Sequence, residues 1–167
     1  MEGVVDLNAC DYTIFIVEDD PDEATLLQQA FQKAKLRNPI QVFRDGQEVM
    51  DYLSRRGNDS RKAFSNAVPT LMLLDLKMPR KTGFEVLEWL RHQSLLKRLV
   101  VVVMANSLHP SDINRAYELG CNSYLAKPTT PEQFVEVVTM IFKYWLVLNI
   151  NPNLDNTASP RMTSLLG

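Results

Sequence analysis

Apolar residues gather into five short runs, Tyr12 to Val17, Ile40 to Phe43, Thr70 to Leu74, Leu99 to Met104 and Ser123 to Ala126. Each is strand-length and rich in branched or aromatic residues, and the stretches between them carry helical patterns. Strands alternating with helices are the sequence sign of βαβ units and a parallel sheet. The third and fourth runs are apolar at successive positions, as in strands covered by helices on both faces, and are expected at the sheet centre. The expected fold class is therefore α/β, a five-stranded parallel sheet doubly wound by helices.

Polar residues mark where the helices begin. Asp20-Pro21-Asp22-Glu23 offers an N-cap, a proline at the first helical position and an acid at the third. Asp45 with Glu48, Thr82 with Glu85, and Thr130 with Gln133 have the capping-box spacing, and Leu119-Gly120 reads as a helix stop. The predicted helices are Pro21 to Leu36, Gly46 to Arg55, Gly83 to Gln93, Pro110 to Leu119 and Pro131 to Leu148. A polar stretch from Arg56 to Asn66 reads as a long loop. These boundaries give an extension over residues 1–11, one domain over 12–148 and a flexible tail over 149–167, where few apolar residues offset the cost of ordering.

Composition narrows the function. The chain has 167 residues, 46% hydrophobic and 23% charged, with a net charge of −2, enough for one well-filled core. No basic surplus points to nucleic acid. No apolar stretch approaches the roughly 18 residues that suggest a membrane span, and the N-terminus lacks a signal-peptide pattern. A cytoplasmic protein is expected. Cys10 and Cys121 have no metal or redox spacing and read as reduced structural thiols. His92 and His109 read as surface residues, and Asn58-Asp59-Ser60 as a glycosylation pattern that a cytoplasmic chain would not use.

Candidate chemistry lies at the strand ends. Glu18 and Asp19 follow the first strand, Asp75 the third and Lys127 the fifth, and with right-handed crossovers all reach one rim of the sheet. Carboxylates crowded together repel unless a cation or proton intervenes. A hard divalent ion with oxygen ligands answers this, and Mg²⁺, which keeps some of its waters, fits best. Such an ion could draw phosphoryl oxygens toward Asp75, with Lys127 as a second positive charge.

Glu18-Asp19, Asp75 followed by Met78-Pro79-Arg80-Lys81-Thr82-Gly83, and Lys127-Pro128 resemble the receiver domain of bacterial two-component response regulators, the CheY-like fold, over Tyr12 to Leu148. Ala116 to Gly120, Asn122 to Leu125 and Tyr144-Trp145-Leu146 more narrowly resemble the single-domain regulators that partner cyanobacterial phytochrome kinases. The resemblance implies strand order 2-1-3-4-5, Asp75 as phosphoacceptor for a kinase phosphohistidine and Lys127 as phosphoryl-binding group. It implies direct Mg²⁺ ligation by Asp19 and Asp75, Glu18 acting through water and Lys77 giving its backbone carbonyl. It also implies a cis Lys127–Pro128 bond and a sensor histidine kinase, phytochrome-like, as partner.

Ala105 departs from the receiver pattern, which usually has Thr or Ser there. That hydroxyl donates to the phosphoryl oxygen and draws an aromatic residue, here Tyr124, inward. Alanine cannot donate, and losing a hydrogen bond to a charged acceptor costs about 1.5 to 3 kcal/mol. Asn106 or Ser107 are the alternative donors. The expectation is phosphorylation with weakened coupling to Tyr124, and the alternative is a pseudo-receiver scaffold whose binding is independent of phosphate. A phosphatase of the haloacid-dehalogenase type is disfavoured because Asp75-Leu76-Lys77 lacks the second acid of Asp-x-Asp. The Lys81-Thr82-Gly83 triplet lacks the Ser-x-x-Lys partner of β-lactamases.

On a regular helical projection the last helix has an apolar arc of roughly 200°, about twice a core-facing stripe. Phe134, Val138, Ile141 and Trp145 share its centre. Val135, Phe142, Tyr144 and Leu146 are expected on a partner surface, a homodimer through the fourth helix, fifth strand and fifth helix.

Overall fold

A computed structural model describes residues 11–57, 69–152 and 154 of the chain. Its five strands, β1 (Ile14–Val17), β2 (Ile40–Phe43), β3 (Leu71–Leu74), β4 (Val100–Ala105) and β5 (Ser123–Ala126), pair in parallel in the order β2-β1-β3-β4-β5. Every residue of β1, β3 and β4 is buried, as their unbroken apolar runs require. The edge strands β2 and β5 are largely half-buried. Register sets Val17 beside Leu74, Leu74 beside Val103 and Val103 beside Tyr124, so the chain leaves these strands along one rim.

Alternating strand residues serve two cores. Phe15, Val17, Met72, Leu74, Val101 and Val103 face α2 (Gly46–Gly57), α3 (Gly83–Arg91) and α4 (Pro110–Glu118). Ile14, Ile16, Leu71, Leu73, Val100 and Val102 face α1 (Pro21–Lys33) and α5 (Pro131–Ile141). The helix starts follow the sequence signals. Asp20 Oδ1 accepts from the Asp22 and Glu23 amides, Thr82 and Glu85 close a reciprocal capping box, and Thr130 Oγ1 accepts from Gln133 N. Gly120, with φ +95, ends the α4 segment in the left-handed conformation that glycine tolerates.

The last helix corrects the regular projection. After Ile141 it widens into a π-helix over Phe142–Leu148, which turns each residue through roughly 82° instead of the 100° of an α-helix. That phase change carries Leu146 onto the core side and Tyr144 outward. Phe142 and Leu146 are buried in the core against α1, whereas Tyr144 is 55% exposed. The apolar arc is wide because the helix changes pitch within it, and of the four residues expected on a partner surface only Tyr144 and the half-buried Val135 remain accessible.

Beyond the helix, Asn149 N–H donates to Tyr144 O at 2.7 Å and Asn151 Nδ2 to Trp145 O at 3.0 Å. Leu154 packs on the core beneath α2, α3 and α4. Cys121 is a buried free thiol. Cys10, most of the loop expected after α2, Asn58 and most of the expected tail lie outside the described residues. Among the described residues no helix is long and apolar enough to cross a membrane.

Candidate functional site

Backbone pairing fixes the site before any side chain acts. Asp75 N–H donates to Val17 O at 3.0 Å, Glu18 N–H to Phe43 O at 2.9 Å and Lys127 N–H to Ala105 O at 2.9 Å. The first residue beyond each of β1, β3 and β5 is thereby held on the same rim. The loop after Asp75 is clamped as well. Gly83 N–H donates to Leu76 O at 3.0 Å, and a Cβ on Gly83 would sit 2.3 Å from Asp75 O, so only glycine permits this approach. Arg80 adopts a left-handed φ of 63°, and its guanidinium meets Asp45 Oδ2 at 3.2 Å while Asp45 Oδ1 caps α2 through Glu48 N. Left-handed backbone at a non-glycine residue is a strained state that surrounding contacts must hold.

These elements enclose a cavity of about 180 Å³ lined by Glu18, Asp19, Asp20, Glu23, Asp75, Leu76, Lys77, Ala105, Asn106, Ser107 and Lys127. All the polar residues read from the sequence therefore meet. Lys127 Nζ lies 2.8 Å from Glu18 Oε2 and 3.4 Å from Asp75 Oδ1, with all three side chains under 10% exposed. It also hydrogen-bonds Glu23, a residue that sequence reasoning assigned only to helix capping. The Lys77 amide hydrogen-bonds Asp75. No peptide bond among the described residues is cis, so Lys127–Pro128 is trans, contrary to the expectation from resemblance. Trans is the ordinary preference of an X–Pro bond, and the turn is closed by Thr129 N–H donating to Gln133 Oε1 at 3.1 Å.

Carboxylate charge exceeds the cationic charge available. Burial pushes the Glu18 carboxyl up to about 7, with the Asp75 charge adding to it against the pull of Lys127. Burial likewise raises Asp75, opposed by Lys127 and reinforced by Asp19. Burial alone would lower the Lys127 ammonium, but hydrogen bonds to Glu18 and Glu23 and the charge of Asp75 carry it above the usual lysine range. One firmly protonated lysine thus meets three carboxylates, Glu18, Glu23 and Asp75, in a cavity that Asp19 and Asp20 also line. Oxygens of Glu18, Asp19 and Asp75 lie within 4.8 Å of one another, an all-oxygen donor set that suits a hard divalent cation.

The position opposite Asp75 contains no hydroxyl. Ala105 is buried at the end of β4. Ser107 is no substitute in this arrangement, because its Oγ donates to Asp112 Oδ2 at 2.6 Å and accepts from His109 N at 3.2 Å, serving the start of α4. Tyr124 Oη donates to Ser107 O at 2.7 Å. Asn106 is exposed and lines the cavity, leaving it as the remaining alternative donor.

The response regulator receiver domain family matches residues 14–139. The chain belongs to that family. It is 35% identical over 141 residues to the probable methanogenesis regulatory protein FilR2 of Methanothrix harundinacea, covering 84% of this chain and 88% of that protein. It is 33% identical over 134 residues to the response regulator Rcp1 of Synechocystis, covering 80% and 88%. The solved structure of the phosphorylated cyanobacterial phytochrome response regulator RcpA superposes with a TM-score of 0.75 at 33% identity, covering 86% of this chain and 99% of that one. A solved structure of Rcp1 is its Mn²⁺-bound form, with a TM-score of 0.72, 30% identity and coverage of 85% and 99%. The two-component receiver fold, with strand order 2-1-3-4-5, is therefore established for this chain, and its acidic pocket brings together the oxygen donors that a divalent cation takes.

Proposed function

We propose that the protein is a single-domain response regulator whose Asp75 accepts a phosphoryl group from the phosphohistidine of a sensor kinase. The observation that carries this reading is the 3.4 Å approach of Lys127 Nζ to Asp75 Oδ1 inside the acid-lined cavity. An Asp75 carboxylate oxygen attacks phosphorus in line; the new O–P bond forms as the P–N bond breaks, and its electron pair stays on the donor's ring nitrogen. Lys127 faces the phosphoryl oxygens, and Asp19, Asp75, the Lys77 carbonyl and Glu18 through water would hold Mg²⁺. When bound, that ion supplies charge neutralisation for the phosphoryl oxygens. Beyond promoting its own phosphorylation and hydrolysis, the protein acts through protein contacts and not as an enzyme.

The likeness to Rcp1 and RcpA supports a phytochrome-type kinase as donor. A cytoplasmic location accords with that pairing. Exposed Tyr117 on α4 and Met140, Tyr144 and Leu148 along the last helix support a homodimer through the α4–β5–α5 face. A monomer by light scattering at micromolar concentration, with and without phosphorylation, contradicts the dimer. Ala105 favours a second reading, a scaffold whose binding ignores phosphate. Incubation with acetyl phosphate and Mg²⁺ separates the two: intact mass should show an adduct in the wild type and none in Asp75→Asn. No Asp75-dependent adduct favours the scaffold.

A further inference from the structure

We propose that Glu23 is a positioning residue for phosphoryl capture, holding the Lys127 ammonium among the acids and releasing it when a phosphoryl oxygen arrives at Asp75. This inference rests on the receiver reading above. Helix capping does not account for Glu23. It occupies the third position of α1, where a Glu ordinarily folds back onto the N-cap amide, as Glu85 does at 2.8 Å from Thr82 N. At α1 that amide is already taken, since Asp20 N–H donates to Glu18 Oε1 at 3.1 Å. The Glu23 carboxylate instead reaches Lys127, 104 positions away in sequence.

An ammonium has three donors, and three carboxylates surround this one. Asp75 is the longest contact at 3.4 Å. Asp75 loses its carboxylate charge when it takes the phosphoryl group, so the donor at 3.4 Å passes to a phosphoryl oxygen; the ammonium must move out toward that oxygen, and one of the two glutamates must give way. Glu18 is 3% exposed and shares the divalent-ion cluster with Asp19 and Asp75, so release would leave it buried. Glu23 is 29% exposed and outside that cluster, so water can replace the lysine. Glu23 is the partner that yields at least cost.

Opposite effects on two ligands follow. Without the Glu23 charge, Lys127 is less neutralised, which weakens divalent-cation binding and strengthens binding of a phosphoryl-like anion. A purely structural loss weakens both. The test uses the full chain and its Glu23→Gln and Glu23→Asp variants. Mn²⁺ affinity is read by EPR, and beryllofluoride affinity at saturating Mg²⁺ by ¹⁹F NMR, with the Lys127 Nζ resonance as a local reporter.

In Glu23→Gln, beryllofluoride should bind about tenfold tighter, the worth of one charge-assisted hydrogen bond, and Mn²⁺ more weakly, with a shift of the Lys127 resonance. Glu23→Asp keeps the charge but withdraws it by one methylene, so beryllofluoride should tighten there too. Wild-type beryllofluoride affinity in both variants, or wild-type affinity in Glu23→Asp alone, overturns the contact role, as does parallel weakening of both ligands. Failure of the wild type to bind beryllofluoride in an Asp75-dependent way overturns the receiver reading itself, and with it this one.

Discussion

Replacing Leu146 by alanine tests the change of helical pitch that closes the α1–α5 side of the core. Leu146 is 2% exposed and packs in the cluster containing Leu27, Phe31, Val138 and Phe142. Removing its outer carbons forfeits roughly 2 kcal/mol of transfer free energy, and the cavity left behind brings the expected loss to about 2 to 5 kcal/mol. Placement near the end of the π-helix allows some collapse, so about 3 kcal/mol is expected, or roughly 6 to 12 °C in Tm for a chain of this size. Tyr144→Ala is the control. Its ring stacks edge-on against Trp145 at 4.7 Å but is largely exposed, so about 1 kcal/mol or less is expected. Urea and thermal unfolding by circular dichroism read both variants. A Leu146→Ala protein with wild-type stability but weakened self-association would refute the core assignment and restore Leu146 to the partner surface.

Gly83→Ala drives a Cβ against the Asp75 carbonyl and the Leu76 Cα, so it should destabilise the fold by about 1 to 3 kcal/mol and weaken Mn²⁺ binding; unchanged melting and affinity would contradict the close approach. Ala105→Thr adds a donor beside Asp75 and should tighten beryllofluoride binding by roughly tenfold or more, with a change in Tyr124 ring mobility by NMR; no effect on either would show that the position is not coupled to the site. Burial raises the Cys121 thiol from 9.0 to about 11, so native-state alkylation at pH 8, followed by peptide mass, should run at least a hundredfold below a free thiol of pKa near 8.5. The sign follows from the native state holding its proton longer: this group leaves stability unchanged well below pH 9 and diminishes it as pH rises from 9 toward 11. Rapid alkylation of folded protein would contradict its burial.

Unbroken apolar runs made β3 and β4 legible as central strands, and acids or lysine at strand ends made the rim legible, because both depend on local pattern and a topology with few alternatives. Glu23 was not legible. Its position suits a capping box, and only the bond between Asp20 N–H and Glu18 Oε1, with the long-range approach of Lys127, takes it out of that role. Phe142 and Leu146 were misplaced because a projection at constant pitch cannot register a π-helix, whose widened turn emerges from packing. The commitment of Ser107 Oγ to Asp112 depends on how the loop enters α4, a geometry that residue spacing does not specify.

Borohydride trapping tests the phosphoacceptor most directly, since it reduces an aspartyl phosphate to homoserine at the residue that carried it. Wild-type protein treated with acetyl phosphate and Mg²⁺, then borohydride, should yield homoserine at position 75 by peptide sequencing, and none when the divalent ion is chelated beforehand. Homoserine at Asp19 or Asp20, or no Mg²⁺-dependent reduction at Asp75, would contradict the account.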